Sequence, residues 1–232
     1  MTLENKDQLY NSRKDFVDQF NRNIKGRWFP LSSHGPHAVG DEFEILMGKT
    51  IDNSTACDIP EINMEIKTKF KKGKVTIMCS SPDVPIKELG SLYGGSEGQL
   101  VSTVKCGRIN NLGLSLGFKD DTLVMIHGQG PNATVVCKWD RSDLSSKLKR
   151  KMPNLAMIHS KKEKGQVVYE SMDIYENVDI DKFFHLIELG KIVVEPRLYM
   201  SKSKGKLIDK GTAFRAIREN VITELFHKKG TV

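Results

Sequence analysis

Apolar and polar residues alternate most regularly over residues 62–70, where Ile62, Met64, Ile66, Thr68 and Phe70 interleave with Asn63, Glu65, Lys67 and Lys69. This two-residue period predicts a strand with one buried and one polar face. Upstream, Leu9, Phe16, Val17, Phe20 and Ile24 fall on one stripe, predicting an amphipathic helix over residues 4–25 that stops at Gly26. Residues 27–38 read as a loop, and 39–47 as a second helix with Val39, Phe43 and Leu46 or Met47 on its apolar side and Gly48 at its end. A polar connection from 49 to 56 leads into the alternating strand. Beyond that strand, Gly73 predicts a hairpin-like return into a strand over 75–79. A short helical turn over 86–89 follows. Further strands are predicted over 100–106, 113–118, 122–126, 133–139, 155–160 and 166–175, with helices over 142–151 and 180–189. KIVVEPRLY, residues 191–199, alternates so that Val193, Glu195, Arg197 and Tyr199 share a face. A lysine-rich loop and a terminal amphipathic helix over 211–226 complete the chain, with Phe214, Ile217, Val221 and Leu225 facing inward. The fold class that follows is α/β in the broad sense (α+β), a mixed and mainly antiparallel sheet flanked by helices.

A chain of 232 residues can bury a substantial core as one large domain or two small ones. With 36 Lys and Arg against 29 Asp and Glu, the net charge of +7 favours a polyanionic partner. The four cysteines, Cys57, Cys79, Cys106 and Cys137, form no C-x-x-C pair, which argues against a zinc site and for reduced thiols. The start, MTLENKDQLYNSRKDF, has no apolar h-region, and no apolar run approaches the ~20 residues that span a bilayer, so a cytoplasmic protein without membrane association is expected. His34 and His37 share a loop without a third ligand and read as solvent or phosphate contacts.

Candidate chemistry gathers on the alternating strand. Glu65 and Lys67 lie on one face, roughly 7 Å apart at two steps of ~3.3 Å. Asp58 precedes Glu65 by seven residues, and Pro60 between them disfavours a helix, so a bend can return the Asp58 carboxylate to the same place. Two acids and an amine could hold a divalent cation on oxygen ligands and set a water beside it for attack on a phosphodiester. A bare E-x-K is common on exposed strand faces, so the pattern needs its flanks. Glu44 borders the apolar stripe of its helix, where an acid is either capped by a basic neighbour or used for chemistry. The basic end of the 142–151 helix, Lys147, Lys149, Arg150 and Lys151, suits either the helix dipole or a DNA backbone. Lys202, Lys204, Lys206, Lys210 and Arg215 form either a DNA-facing patch or a solvated hairpin tip, and Arg215 and Arg218 stand near the start of the last predicted helix, where phosphate is favoured.

VGDEFEILMG followed by DIPEINMEIKT resembles the paired signature of the MutH-like branch of the PD-D/ExK nucleases. LYGGSEG, STVK, FHLIELGKIVVEPRL and GTAFR are similar to the MvaI/BcnI-type restriction endonucleases within that branch. The resemblance covers most of the chain, least well the first thirty residues and 128–175. It implies a restriction-endonuclease-like, two-lobed DNA clamp with a catalytic lobe over 1–137 and a recognition lobe over 138–232. It implies Mg2+, with Mn2+ able to substitute, on Asp58, Glu65 and the Ile66 carbonyl, with Lys67 orienting the attacking water and Glu44 assisting. Glu195, Arg197, Lys210 and Arg215 would contact bases, and Lys105, Arg108, Lys202, Lys204, Lys206 and Arg218 the DNA backbone. Where the family has a histidine pair before GTAFR, this chain has Ile208 and Lys210. The expected activity is type II cleavage of duplex DNA at a short sequence, by a monomer nicking the strands in turn and leaving 5′-phosphate and 3′-hydroxyl ends. A cognate DNA methyltransferase is implied functionally, not as a bound partner. The alternatives are a MutH-like strand-specific nickase and a non-catalytic DNA-binding module.

Overall fold

The computed structural model describes residues 10–35, 37–49, 56–69, 73–84, 98–201 and 206–232. The elements of the first half are α1 (Arg13–Gln19), β1 (Trp28–Pro30), α2 (Ala38–Leu46), β2 (Glu65–Lys69), β3 (Val75–Cys79), β4 (Gly98–Val101), β5 (Leu114–Lys119) and β6 (Thr122–His127). They continue as β7 (Thr134–Asp140), α3 (Arg141–Lys151), β8 (Leu155–Glu163), β9 (Gln166–Val178), α4 (Ile180–Glu188), β10 (Ile192–Ser201), β11 (Lys206–Ala216), α5 (Glu219–Thr223) and β12 (Phe226–Thr231). The class is mixed α+β, as the sequence predicts. No helix among the described residues is long and apolar enough to cross a membrane.

The chain forms two compact units. One takes Met1–Lys72, Arg150–Val178 and Phe226–Val232; the other takes Gly73–Lys149 and Asp179–Leu225. This division differs from the single cut after residue 137 that the resemblance suggests, because β8, β9 and β12 hydrogen-bond into the sheet that holds β2.

In the first unit that sheet has the order β1-β9-β8-β2, and β12 also pairs with β9. β9 is long enough for β1 to pair with Gln166–Val168 and β12 with Asp173–Val178, while β8 takes its other edge. β2 runs parallel to β8, with Glu65 beside Leu155. The apolar stripes of α1 and α2 supply Phe16, Val39 and Phe43 to a core that Ile66, Ile158 and Tyr169 fill from the sheet. Phe43 and Tyr169 meet edge-on at 5.0 Å, and the Tyr169 hydroxyl donates to the Val39 carbonyl at 2.8 Å. Burial pushes the Tyr169 phenol well above its ordinary pKa, so it stays a donor.

The second unit holds an antiparallel sheet, β3-β11-β10-β4, and a three-stranded meander, β5-β6-β7. Phe183 and Phe184 of α4 are buried, as their helical stripe predicts, and Phe183 packs on Phe214 of β11 at 5.9 Å.

Several expected elements differ. The first helix is regular only to Gln19 and widens into a π-helical turn over Phe20–Ile24, closed by Lys25 N–H donating to the Phe20 carbonyl; residues 4–9 lie outside those described. The hairpin at Gly73 does not form, since β2 pairs with β8 and β3 with β11. The predicted helical turn at 86–89 lies outside the described residues. The strand expected over 100–106 is β4 followed by isolated bridges at Val104, Lys105 and Cys106. The largest correction concerns residues 211–226. They were expected as one helix but form the end of β11, then α5, then the start of β12. Two flanking strands, β10 and β3, offer β11 full hydrogen bonding. That pairing outweighs a helical periodicity that Phe214 and Val221 satisfy equally well from a strand and a short helix. Arg215 therefore stands in a strand, and Arg218 is the N-cap of α5.

Truncating Phe43, which is wholly buried, to alanine is expected to cost about 3–5 kcal/mol. Urea unfolding monitored by circular dichroism measures this as a lower midpoint at unchanged slope.

Candidate active site

Local chain geometry in the first unit brings Asp58 and Glu65 together. Pro60–Ile62 forms a single 3-10 turn and Asn63 takes a left-handed conformation (φ 53°). Ile59 and Met64 then exchange both backbone hydrogen bonds, at 2.9 and 3.0 Å. This antiparallel register sets Asp58 opposite Glu65. Buried Asn154 pins the turn by donating to the Asn63 carbonyl at 2.7 Å, while its own carbonyl accepts from Glu65 N–H at 3.0 Å. The Asp58 carboxylate accepts from Ile66 N–H at 2.8 Å.

Glu44 arrives from α2. Gly48, at φ 81°, ends that helix, with Gly48 N–H donating to the Ile45 carbonyl and Lys49 N–H to the Glu44 carbonyl, each at 2.8 Å. This is a Schellman ending, and it folds Lys49 back over Glu44. The Lys49 ammonium donates to the Glu44 carboxylate at 2.8 Å and lies 3.4 Å from Asp58. Of the two outcomes open for Glu44, the basic cap is the one present.

The expected polar face is buried at Glu65 and part-buried at Lys67. Glu65 is fully buried, and Ile66 on the opposite face is buried as well. Lys67 hydrogen-bonds Glu65 Oε1. On the other side stands Lys151, the last residue of α3, with its Nζ 2.9 Å from Glu65 Oε2, 3.5 Å from Asp58 and donating to the Ala56 carbonyl at 3.0 Å. Cys57 N–H donates to the Arg150 carbonyl at 3.2 Å and ties the same segment to that helix end. Three carboxylates thus face three ammonium groups. Burial pushes the Glu65 carboxyl above its ordinary pKa, with help from the Asp58 charge and against Lys67 and Lys151. Burial acts likewise on Asp58, but Lys67, Lys151, the Ile66 N–H and Lys49 outweigh it and hold that carboxyl below its ordinary value. Lys49 and Lys151 are absent from the sequence-based set. Lys49 carries a local signal in the Gly48 helix ending; Lys151 carries none, because only the tertiary fold returns it to this strand.

The second unit has its own buried acid. Glu195 on β10 is 2% exposed, hydrogen-bonded by Lys74, by the Thr103 hydroxyl at 2.9 Å and by Arg215 at 2.8 Å. Arg215 also donates to the Lys74 carbonyl at 3.1 Å, while its Nε and the Thr212 hydroxyl are buried without a partner. Burial raises the Glu195 pKa, but the Lys74, Arg215 and Thr103 hydrogen bonds outweigh it and hold the carboxyl below its ordinary value. Between Pro196 and Leu198 the β10–β11 register slips, so that Lys210 and Gly211 face Arg197 alone. Gly211 (φ 81°) supplies the left-handed residue of this bulge, and Arg197 Nε donates to its carbonyl at 3.2 Å. Lys105, Arg108 and Arg218 line one cleft of about 470 Å3 with Lys74, Thr103 and Asn110. Lys206 and Lys210 are described by backbone alone, and Lys202 and Lys204 lie outside the described residues.

A family model described as the MvaI/BcnI restriction endonuclease family matches residues 18–226. The chain belongs to the MvaI/BcnI restriction endonuclease family. It is an enzyme of the type II site-specific deoxyribonuclease class, which sets aside the non-catalytic binding module. Among solved structures, the restriction endonuclease MvaI in complex with cognate DNA is 24% identical and superposes with a TM-score of 0.77 over 94% of this chain and 97% of that one. MvaI in the absence of DNA is 20% identical, with a TM-score of 0.53 over the same shares. No curated protein matches the sequence.

The acid cluster fits the Mg2+ that the resemblance implies. Among the described residues no three His, Cys, Asp or Glu side chains are grouped to hold a metal. Mg2+ commonly takes one or two carboxylates and fills its octahedron with water and phosphate oxygens. Asp58 and Glu65 supply that pair, and Glu65 Oε2 is buried without a hydrogen bond despite the nearby Lys151 charge.

Because the folded-state pKa of Glu195 lies below its ordinary value of 4.5, its ionised form contributes stability above that value. The contribution disappears as pH falls through the lowered pKa. Glu195→Gln is therefore expected to melt below wild type at pH 7, with the gap narrowing on acidification; calorimetry from pH 7 to pH 3 measures it.

Proposed function

We propose that this enzyme cleaves duplex DNA at a short specific sequence in an Mg2+-dependent reaction, acting as a monomer that nicks the strands in turn and leaves 5′-phosphate and 3′-hydroxyl ends. The observation that carries the reading is the convergence of Asp58, Glu65 and Lys67 on one strand and the turn before it. Asp58 and Glu65 would hold the ion, with the Ile66 carbonyl as third protein ligand. When bound, the ion supplies positive charge against the phosphorane-like transition state. Lys67 holds the attacking water at its Nζ, takes part in removing its proton and stabilises negative charge on phosphate. Glu44, through Lys49, keeps a cation close to Asp58 and so supports its ionised form.

Arg197, Lys210 and Arg215, grouped on the β10–β11 hairpin around the bulge, are the base-reading residues of this proposal. Arg or Lys donating to guanine O6 and N7 is the pairing that the major groove favours. Glu195, assigned to bases by the resemblance, is buried and bonded to Arg215; its influence on recognition runs through the pose of that arginine. Lys105, Arg108 and Arg218 supply phosphate contacts from their cleft, and Lys202, Lys204 and Lys206 keep the backbone role that the resemblance implies. A DNA methyltransferase of the same specificity would protect the host.

Digesting a sequenced supercoiled plasmid tests the proposal. Wild type with Mg2+ should give transient open circles, then linear DNA with uniform ends, and no cleavage in EDTA. Glu65→Ala should lose cleavage by at least about two to three orders of magnitude, the scale of removing a transition-state electrostatic contact, while gel shifts show retained DNA binding. Simultaneous cutting of both strands by a stable dimer would refute the monomer, and nicked product that never becomes linear on hemimethylated DNA would favour the MutH-like nickase.

A further inference from the structure

Lys151 has no role in the chemistry above, yet its ammonium stands between both carboxylates assigned to the ion, at 2.9 Å from Glu65 Oε2 and 3.5 Å from Asp58 Oδ1. Lys67 already occupies Glu65 Oε1, and Lys49 already balances Glu44. Among the described residues, Lys151 is thus the third ammonium set against the three carboxylates. Its contact with Glu65 Oε2 is a close charge–charge contact. The contact is imposed by the end of α3, which is anchored through the Ala56 carbonyl and Cys57 N–H.

We propose that Lys151 is an internal counter-cation of the metal site, bridging Asp58 and Glu65 in the ion-free enzyme and competing with the divalent ion for them. The proposal rests on the assignment of Asp58 and Glu65 as the metal-binding carboxylates. Lys151 holds two mutually repelling acids at one place before the ion arrives and weakens resting metal affinity. The lysine then moves off Glu65 as the ion binds. Lys151 is a positioning residue, so its signature lies in metal binding without DNA.

The test is Mn2+ titration of the DNA-free protein at pH 8, with free Mn2+ followed by electron paramagnetic resonance. Lys151→Met keeps the apolar stem and removes the charge, and is expected to bind Mn2+ at least about ten-fold more tightly than wild type, the water-screened lower end of removing one unit charge a few ångströms from a divalent ion. Lys151→Arg keeps the charge and should match wild type, as should Lys119→Met at the exposed end of β5. Melting curves in EDTA establish that each variant folds; Lys151→Gln carries the same expectation if the Met variant does not. Unchanged or weaker Mn2+ binding in both charge-removing variants would overturn the role of Lys151. Failure of Asp58→Asn and Glu65→Gln to weaken Mn2+ binding would instead overturn the metal-site assignment on which it rests.

Discussion

The first unit depends on keeping a fully buried carboxylate ionisable. Taking a carboxylate out of water costs several kcal/mol even after relaxation, and an unpaired one would protonate or distort the fold. Glu65 is tolerated because Lys67 and Lys151 flank its two oxygens, against the facing charge of Asp58 that the Ile59–Met64 bridge sets opposite it. Each compensating element belongs to a different part of the chain. The strand supplies one lysine, the end of α3 another, and the parallel pairing of β2 with β8 holds the strand in register beside them. Burial and the facing charge of Asp58 oppose ionisation while the lysines favour it, leaving Glu65 poised above its ordinary pKa.

The second unit repeats the same physics for a different purpose. Glu195 is also buried and flanked by cations, Lys74 and Arg215, with the Thr103 hydroxyl as a further donor. Here the hydrogen bonds win over burial and the carboxyl is held low. The acid is therefore a fixed negative charge that orients Arg215 on the hairpin. The two buried glutamates differ because Glu65 meets a second acid, Asp58, whereas Glu195 is surrounded by donors.

Much of the first site was legible locally. The alternation over 62–70 places Glu65 and Lys67 side by side, Pro60 marks the bend that returns Asp58, and Gly48 marks the end of the helix that carries Glu44. These are short-range effects of backbone sterics and side-chain period, so neighbouring residues suffice to reveal them. The hairpin expected at Gly73 and the helix expected over 211–226 were misread for the opposite reason. Each segment satisfies a local pattern, but its hydrogen-bonding partners lie far away in sequence: β8 for β2, and β10 and β3 for β11.

The sequence by itself determined the mixed α+β class, the apolar stripes of α1, α2 and α4, and the acid-acid-lysine set, because periodicity and spacing act within a few residues. Only the tertiary structure decided that Glu65 would be buried, that Lys151 would close the acid cluster, and that Glu195 would hold an arginine instead of meeting solvent. Those outcomes depend on which charges arrive from distant segments, and burial makes each such arrival an energetic necessity.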